Sequence, residues 1–100
     1  MASFEEHVRR ALDELPPELA AALKNVAVVV EDEHPDDPDL FGLFQQEPYL
    51  PAKVTIYRLP LVETFADPAE LEQEIRVTVL HELAHYFGID EQRLDDLGYA

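Results

Sequence analysis

Cysteine is absent from all 100 residues of this sequence. Disulfides and zinc–thiolate sites are therefore excluded, and histidine and carboxylate side chains remain as the strong metal ligands. No hydrophobic run approaches the roughly 18–20 residues that cross a bilayer. The first residues also lack the apolar segment and cleavage site of a secretory signal. These absences predict a cytoplasmic protein.

Basic residues are also scarce: 7 Lys and Arg stand against 22 Asp and Glu, for a net charge of −15. Nucleic-acid binding needs clustered cations that neutralise phosphates, so we expect no nucleic-acid partner. An anionic membrane surface would repel the chain, so we expect no membrane partner either. The charge is typical of a soluble protein with a solvated acidic surface, although attraction of cationic substrates or metal cations is an alternative reading.

Helix and strand signals alternate along a chain whose length suits one domain, residues 1–100. The predicted elements, in order, are a helix opened by the capping box Ser3–Glu6, a short helix over Glu18–Lys24, strands over Asn25–Val30, Leu40–Gln46 and Lys53–Arg58, a long helix between Asp67 and Gly88, and a short helix over Glu91–Leu97. The segment Leu59–Phe65 is ambiguous between a loop and a helix. This order predicts an α+β or α/β domain in which helices pack on a small sheet.

The long helix has clear ends, because Asp67 suits the N-cap, Pro68 the first turn and Gly88 a left-handed C-cap. Viewed down its axis, it is apolar over most of its circumference. That broad arc, which we expect to face the core, comprises Ile75, Val77, Val79, Leu80, Leu83, Ala84 and Phe87. The remaining narrow polar strip comprises Thr78, His81, Glu82 and His85.

Two histidines four residues apart, His81 and His85, lie on one face of this helix and can both reach one metal ion. Zinc binds neutral imidazole nitrogens, and a glutamate that follows the first histidine projects beside the metal, where it can act as general base. The sequence therefore predicts one Zn2+ ion held by His81 and His85, with Glu82 as the catalytic base. The alternative is a partly exposed histidine pair that binds no metal.

A catalytic zinc site needs a third protein ligand. Because Gly88 turns the chain back, Asp90 and Glu91 are the nearest candidates, with Asp95 or a water as further alternatives. If Asp90 caps the last helix, Glu91 is the freer carboxylate, and we favour Glu91. Of the other two histidines, His7 is expected to be exposed. His34 is expected to lie in a solvated acidic loop.

The run Val77–Glu91, VTVLHELAHYFGIDE, together with Arg93-Leu94 and Leu97-Gly98-Tyr99, resembles the bacterial minimal zincins, which are small, possible zinc metallopeptidases. The resemblance is sharp over residues 68–99 and looser in the first helix, at 40–44 and at 54–58. It implies a minimal zincin-like α+β fold with a mixed sheet of about three to four strands. It also implies an edge strand beside the site helix that can pair with an extended peptide.

The resemblance also bears on the third ligand, because zincins of this type place it six residues after the second histidine. Glu91 stands there, where the Asp-zincins carry aspartate. Met1 is the only methionine, which excludes the metzincin subclass with its methionine turn.

The function expected from residues and resemblance is a zinc-dependent metallopeptidase acting on a peptide or protein. His81, His85 and Glu91 would hold the ion and Glu82 would serve as base. One rival is a non-catalytic metal- or peptide-binding module that keeps the zincin fold. Another is an acidic interaction protein in which the motif is accidental.

Overall fold

The structure, a computed structural model, describes residues 3–88 and 90–96, without the side chains of His85, Tyr86, Phe87, Glu91 and Leu94. Its elements are α1 (Phe4–Asp13), α2 (Pro17–Ala22), β1 (Val26–Glu31), β2 (Gly42–Gln45), β3 (Ala52–Tyr57), α3 (Arg58–Thr64), α4 (Pro68–Phe87) and α5 (Glu91–Asp96). The predicted α+β class is confirmed, and the ambiguous segment is helical as α3. The assignment of residues 1–100 to a single domain stays a prediction.

Local capping signals set the ends of the two longer helices. The Ser3 hydroxyl accepts the Glu6 N–H at 3.2 Å, and α1 begins there. The Asp67 carboxylate accepts the Ala69 N–H at 3.3 Å at the start of α4, and Gly88 ends that helix with φ of 67°. Only glycine adopts this left-handed conformation at little cost, so the chain turns sharply after the histidine motif.

The sheet has the strand order β1-β3-β2. β1 pairs with β3 in parallel and β2 pairs with β3 antiparallel, with Gly42 opposite Ile56 and Phe44 opposite Val54. Since side chains alternate between the two faces of a strand, Gly42 and Phe44 lie on the same face as the buried Val54 and Ile56. α4 packs on that face, so β2 is an edge strand beside the motif helix.

α4 lies at the centre of the hydrophobic core. Its buried residues recur at helical spacing and form two groups. The first group, which packs with the sheet and α1, comprises Leu71, Ile75, Val79 and Leu83. The second group, which packs with the segment around α2, comprises Leu80 and Ala84. This packing fixes the helix that carries the motif. Among the described residues, no helix is long and apolar enough to cross a membrane.

Two expectations about individual side chains are wrong. Val77 was expected to face the core, but it is half-buried and lines a surface cleft, because the three-stranded sheet is too narrow to cover the whole apolar arc. His7 was expected to be exposed, but its side chain is 12% exposed, and its Nδ1 lies 2.6 Å from Glu72 Oε2 on α4. His7 therefore helps join α1 to α4.

Candidate metal and catalytic site

A cleft of about 400 Å³ lies between α4 and the loop before β2, with Gly42 at the start of β2 on its wall. The residues that line it are Asp37, Asp39, Leu40, Phe41, Gly42, Glu74, Val77, Thr78, His81 and Glu82. Three members of the predicted polar strip, Thr78, His81 and Glu82, thus share one cleft. All three are half-buried, which leaves them in reach of a bound molecule.

The Glu82 carboxylate is held by the edge strand. Its Oε2 accepts the backbone N–H of Phe44 at 3.1 Å. The Tyr57 N–H donates to the Phe41 carbonyl at 2.9 Å, so Phe41 and Tyr57 form a hydrogen-bonded pair of the antiparallel ladder. Because such pairs alternate, the N–H of Phe44 points away from β3 toward the open edge. Glu82 therefore lies where an extended chain pairing with β2 would pass.

β2 and α4 approach each other very closely at Gly42. A Cβ atom added there would lie 2.6 Å from Thr78 Cγ2 and 3.7 Å from Glu82 Cγ. A glycine inside a strand signals a close approach of backbone, so Gly42 is the sequence feature that could have indicated this contact. The Glu82–Phe44 hydrogen bond joins residues far apart in the chain, and no local pattern could have revealed it.

The structure brings His81 and Glu82 together, whereas the other two predicted site residues are only partly described. His85 lies one turn further along α4 and Glu91 begins α5, but both side chains lie outside the described residues. Their roles as ligands stay predictions. Among the side chains that are described, no three histidine, aspartate or glutamate groups are close enough to hold a metal ion.

The segment after Gly88 carries Asp90 and Glu91, the two carboxylates favoured as candidates for the third ligand, and the choice between them stays a prediction. The Asp90 Oδ1 accepts the Arg93 N–H at 2.8 Å, so Asp90 caps α5 as expected. The Arg93 guanidinium donates to Glu18 at 2.7 Å and ties α5 to α2. One Asp90 oxygen is therefore engaged by the backbone, whereas the Glu91 side chain lies outside the described residues.

Acidic groups dominate the surroundings of the cleft. Asp37, Asp39 and Glu74 lie along its walls with Glu82, and a cleft lined by one sign of charge concentrates ions of the opposite sign. Two arginines form ion pairs with acidic side chains: Arg58 with Asp32 at 3.0 Å and Arg76 with Glu14 at 2.8 Å.

The available donor set is of a kind that zinc accepts. Imidazole and carboxylate ligands, without thiolates, are those of many catalytic zinc sites. His81 presents one such imidazole in the cleft, and the carboxylate of Glu82 lies next to it in the same cleft. The His81 imidazole fits a zinc ion, whereas His85 and Glu91 stay predicted ligands and Glu82 is assigned as the base.

Comparison with known proteins defines the class to which this fold and cleft belong. The chain is similar to the structure of a conserved hypothetical protein from Thermo thermophilus, with a TM-score of 0.57 and 23% identity over 85% of this chain and 91% of that chain. At this level of identity the likeness shows a shared α+β fold. No curated protein matches.

A family profile described as zincin-like metallopeptidase matches residues 23–99, from the end of α2 to the C-terminal segment. The match covers most of the chain. The protein therefore belongs to the zincin-like metallopeptidase family, and the resemblance seen in the sequence is confirmed.

Proposed function

We propose that this protein is a zinc-dependent peptide hydrolase. One observation carries the proposal: in a chain of the zincin-like metallopeptidase family, His81 and Glu82 line the same cleft beside the edge strand β2. His81, His85 and Glu91 would hold one Zn2+ ion. The substrate would be a peptide or protein whose extended backbone lies along β2.

When bound, zinc supplies Lewis acidity, which polarises a carbonyl group and makes a water molecule acidic enough to attack it near neutral pH. The chain's own contribution is proton handling at the Glu82 carboxylate, which takes a proton from the attacking water and returns it to the leaving amine. The Phe44 N–H engages Oε2 of that carboxylate. The other oxygen, Oε1, is the natural acceptor for the proton.

The second candidate function is a non-catalytic module, and the hydrogen bond between Glu82 and the Phe44 N–H favours it. Because Glu82 bonds to the backbone of the edge strand, its carboxylate can serve to close β2 onto α4 and need not act as a base. Such a protein would keep the metal or bind a peptide strand and cleave nothing. The expected cytoplasmic location and the absence of nucleic-acid and membrane partners stay predictions under either function.

Zinc titration and a peptide-library screen separate these functions. We expect wild type to bind one zinc ion and cleave a subset of peptides. His81→Ala should lose high-affinity zinc, since it removes a ligand. Glu82→Gln, a matched change in size, should keep zinc and lose hydrolysis by a factor of about 10² or more, the range expected for a general base.

Different results would select another function. Zinc uptake without cleavage of any peptide, by wild type and Glu82→Gln alike, favours the non-catalytic module. No zinc uptake at all contradicts the hydrolase and a metal-holding module, and leaves a module that binds a peptide strand without metal. Hydrolysis that survives Glu82→Gln would contradict the assigned base.

A further inference from the structure

β2 and α4 make a close contact at Gly42, and the geometry of this contact does not depend on the proposed zinc ion. We infer that Gly42 is a positioning residue: by lacking a side chain, it sets the separation of β2 from α4 at which the Phe44 N–H holds the Glu82 carboxylate. The inference rests on the proposed function for its catalytic consequence. Its geometric part concerns the protein alone.

Thr78 provides the surface against which Gly42 rests. Its hydroxyl donates to the Glu74 carbonyl at 2.8 Å, one turn back along α4. That bond selects one of the two rotamers that a threonine adopts in a helix. The Cγ2 methyl is therefore held toward β2, and a Cβ at position 42 would meet it at 2.6 Å. Rotation of the threonine cannot relieve this contact without breaking its hydrogen bond.

An alanine at position 42 would force the two elements apart. Carbon atoms that are not bonded prefer about 3.5–4.0 Å, so a contact of 2.6 Å requires a displacement of about 1 Å. The Phe44 N–H lies two residues along the same strand, and its hydrogen bond to Glu82 is already 3.1 Å long. A comparable shift there would take the two atoms beyond hydrogen-bonding distance. Glu82 would then lose the donor that orients it.

The test is a double-mutant cycle on Gly42→Ala and Thr78→Ser. The serine keeps the hydroxyl that bonds to Glu74 and removes the methyl that makes the 2.6 Å contact with an alanine at position 42. The 3.3 Å approach of that alanine to the Thr55 carbonyl oxygen remains in both variants. Leu43→Ala is the control, because Leu43 lies on the opposite face of β2 from α4. The first readout is amide hydrogen exchange of Phe44 by NMR, with Val54 and Ile56 as core references, and it requires neither zinc nor activity.

We expect Gly42→Ala to lower the protection of the Phe44 amide by about tenfold or more, the value of one hydrogen bond to a charged group. Protection of Val54 and Ile56 should stay the same. Thr78→Ser and Leu43→Ala alone should change Phe44 little, and the double variant should recover its protection. In the zinc-loaded protein, Gly42→Ala should lower kcat by about a hundredfold, as expected for a 1 Å misplacement, and the double variant should recover activity.

The outcomes are distinguishable. Unchanged Phe44 protection in Gly42→Ala, or loss that Thr78→Ser does not reverse, would overturn the inference. If Gly42→Ala unfolds, as circular dichroism would show, refolding in the double variant with Phe44 protected supports it, and continued unfolding overturns it. If exchange follows the expected cycle while wild type hydrolyses no peptide, the proposed hydrolase function fails and the placement of Glu82 by Gly42 stands.

Discussion

Tyr57 shows how one residue supports the edge of the site. It ends β3, and its N–H holds the Phe41 carbonyl at the start of β2. Its side chain is buried, and its ring meets that of His34 edge-on, with centroids 5.8 Å apart. Burial, and to a smaller degree the nearby Glu31 carboxylate, raises the pKa of the Tyr57 phenol above its usual value of 10.0.

Alkaline pH should therefore destabilise the protein partly through Tyr57. Because the pKa is higher in the folded than in the unfolded chain, the stabilisation is fully present below pH 10 and is lost as pH rises through the folded-state pKa. Tyr57→Phe keeps the ring but removes the titration. We expect its free energy of unfolding, measured by urea denaturation, to fall less steeply above pH 10 than that of wild type. Equal slopes would contradict this assignment.

Asp90 and Glu91, at the start of α5, are the two favoured candidates for the third metal ligand. Asp90→Asn keeps an oxygen that can cap α5 but removes the carboxylate charge. Glu91→Gln removes the other carboxylate. If Glu91 is the ligand, Glu91→Gln should weaken zinc binding by about tenfold or more, whereas Asp90→Asn should leave the zinc affinity nearly unchanged.

Isothermal titration with zinc, at one pH and buffer, measures both variants against wild type. The unfolding temperature of each apo variant serves as the control for an intact fold. The reverse pattern, with weak binding only in Asp90→Asn, would assign the ligand to Asp90. If neither variant loses zinc binding, the third ligand is Asp95 or a water molecule.

Elements that depend on nearby residues could be predicted from the sequence. Ser3, Asp67 and Gly88 mark helix ends through hydrogen bonds or backbone angles within a turn of themselves, and the structure has those ends. The His81–His85 spacing likewise places both residues on one face of α4. Local signals therefore sufficed for the motif helix and for the shared face of Thr78, His81 and Glu82, while His85 and Glu91 as ligands stay predictions.

Features that depend on distant residues could not be predicted in this way. The strand order β1-β3-β2 requires a crossover that no local pattern specifies. Val77 was misplaced because a view down the helix axis shows one helix and not the width of the sheet that covers it. The bond between Glu82 and Phe44, and the role of Gly42 beside Thr78, depend on how two elements pack.

On the scale of the whole molecule, the excess of acidic residues and the candidate metal site are linked. A net charge of −15 creates a field that draws cations to the surface, and the cleft adds carboxylates beside His81. This attraction weakens with salt, since it is screened over about 8–10 Å at physiological ionic strength. Long-range charge therefore aids capture of a cation, while the ligands determine how tightly it is held.

Metal removal should leave the fold intact and lower its stability. The two core clusters of the described residues contain neither His81 nor Glu82, so the packing described for α4 does not depend on these two side chains. We expect the protein with a chelator to keep its circular dichroism spectrum. Zinc at about 100 times its Kd should then add about 2.7 kcal/mol to the free energy of unfolding, because it binds the folded state.

His81→Ala is the matched control for this stabilisation, since it loses a ligand but no core residue. Zinc should stabilise this variant much less than wild type in the same urea titration. If the chelator unfolds wild type, the metal is structural and the second candidate function gains support. If zinc stabilises His81→Ala and wild type equally, the ion binds elsewhere, among the surface carboxylates, and His81 is not a ligand.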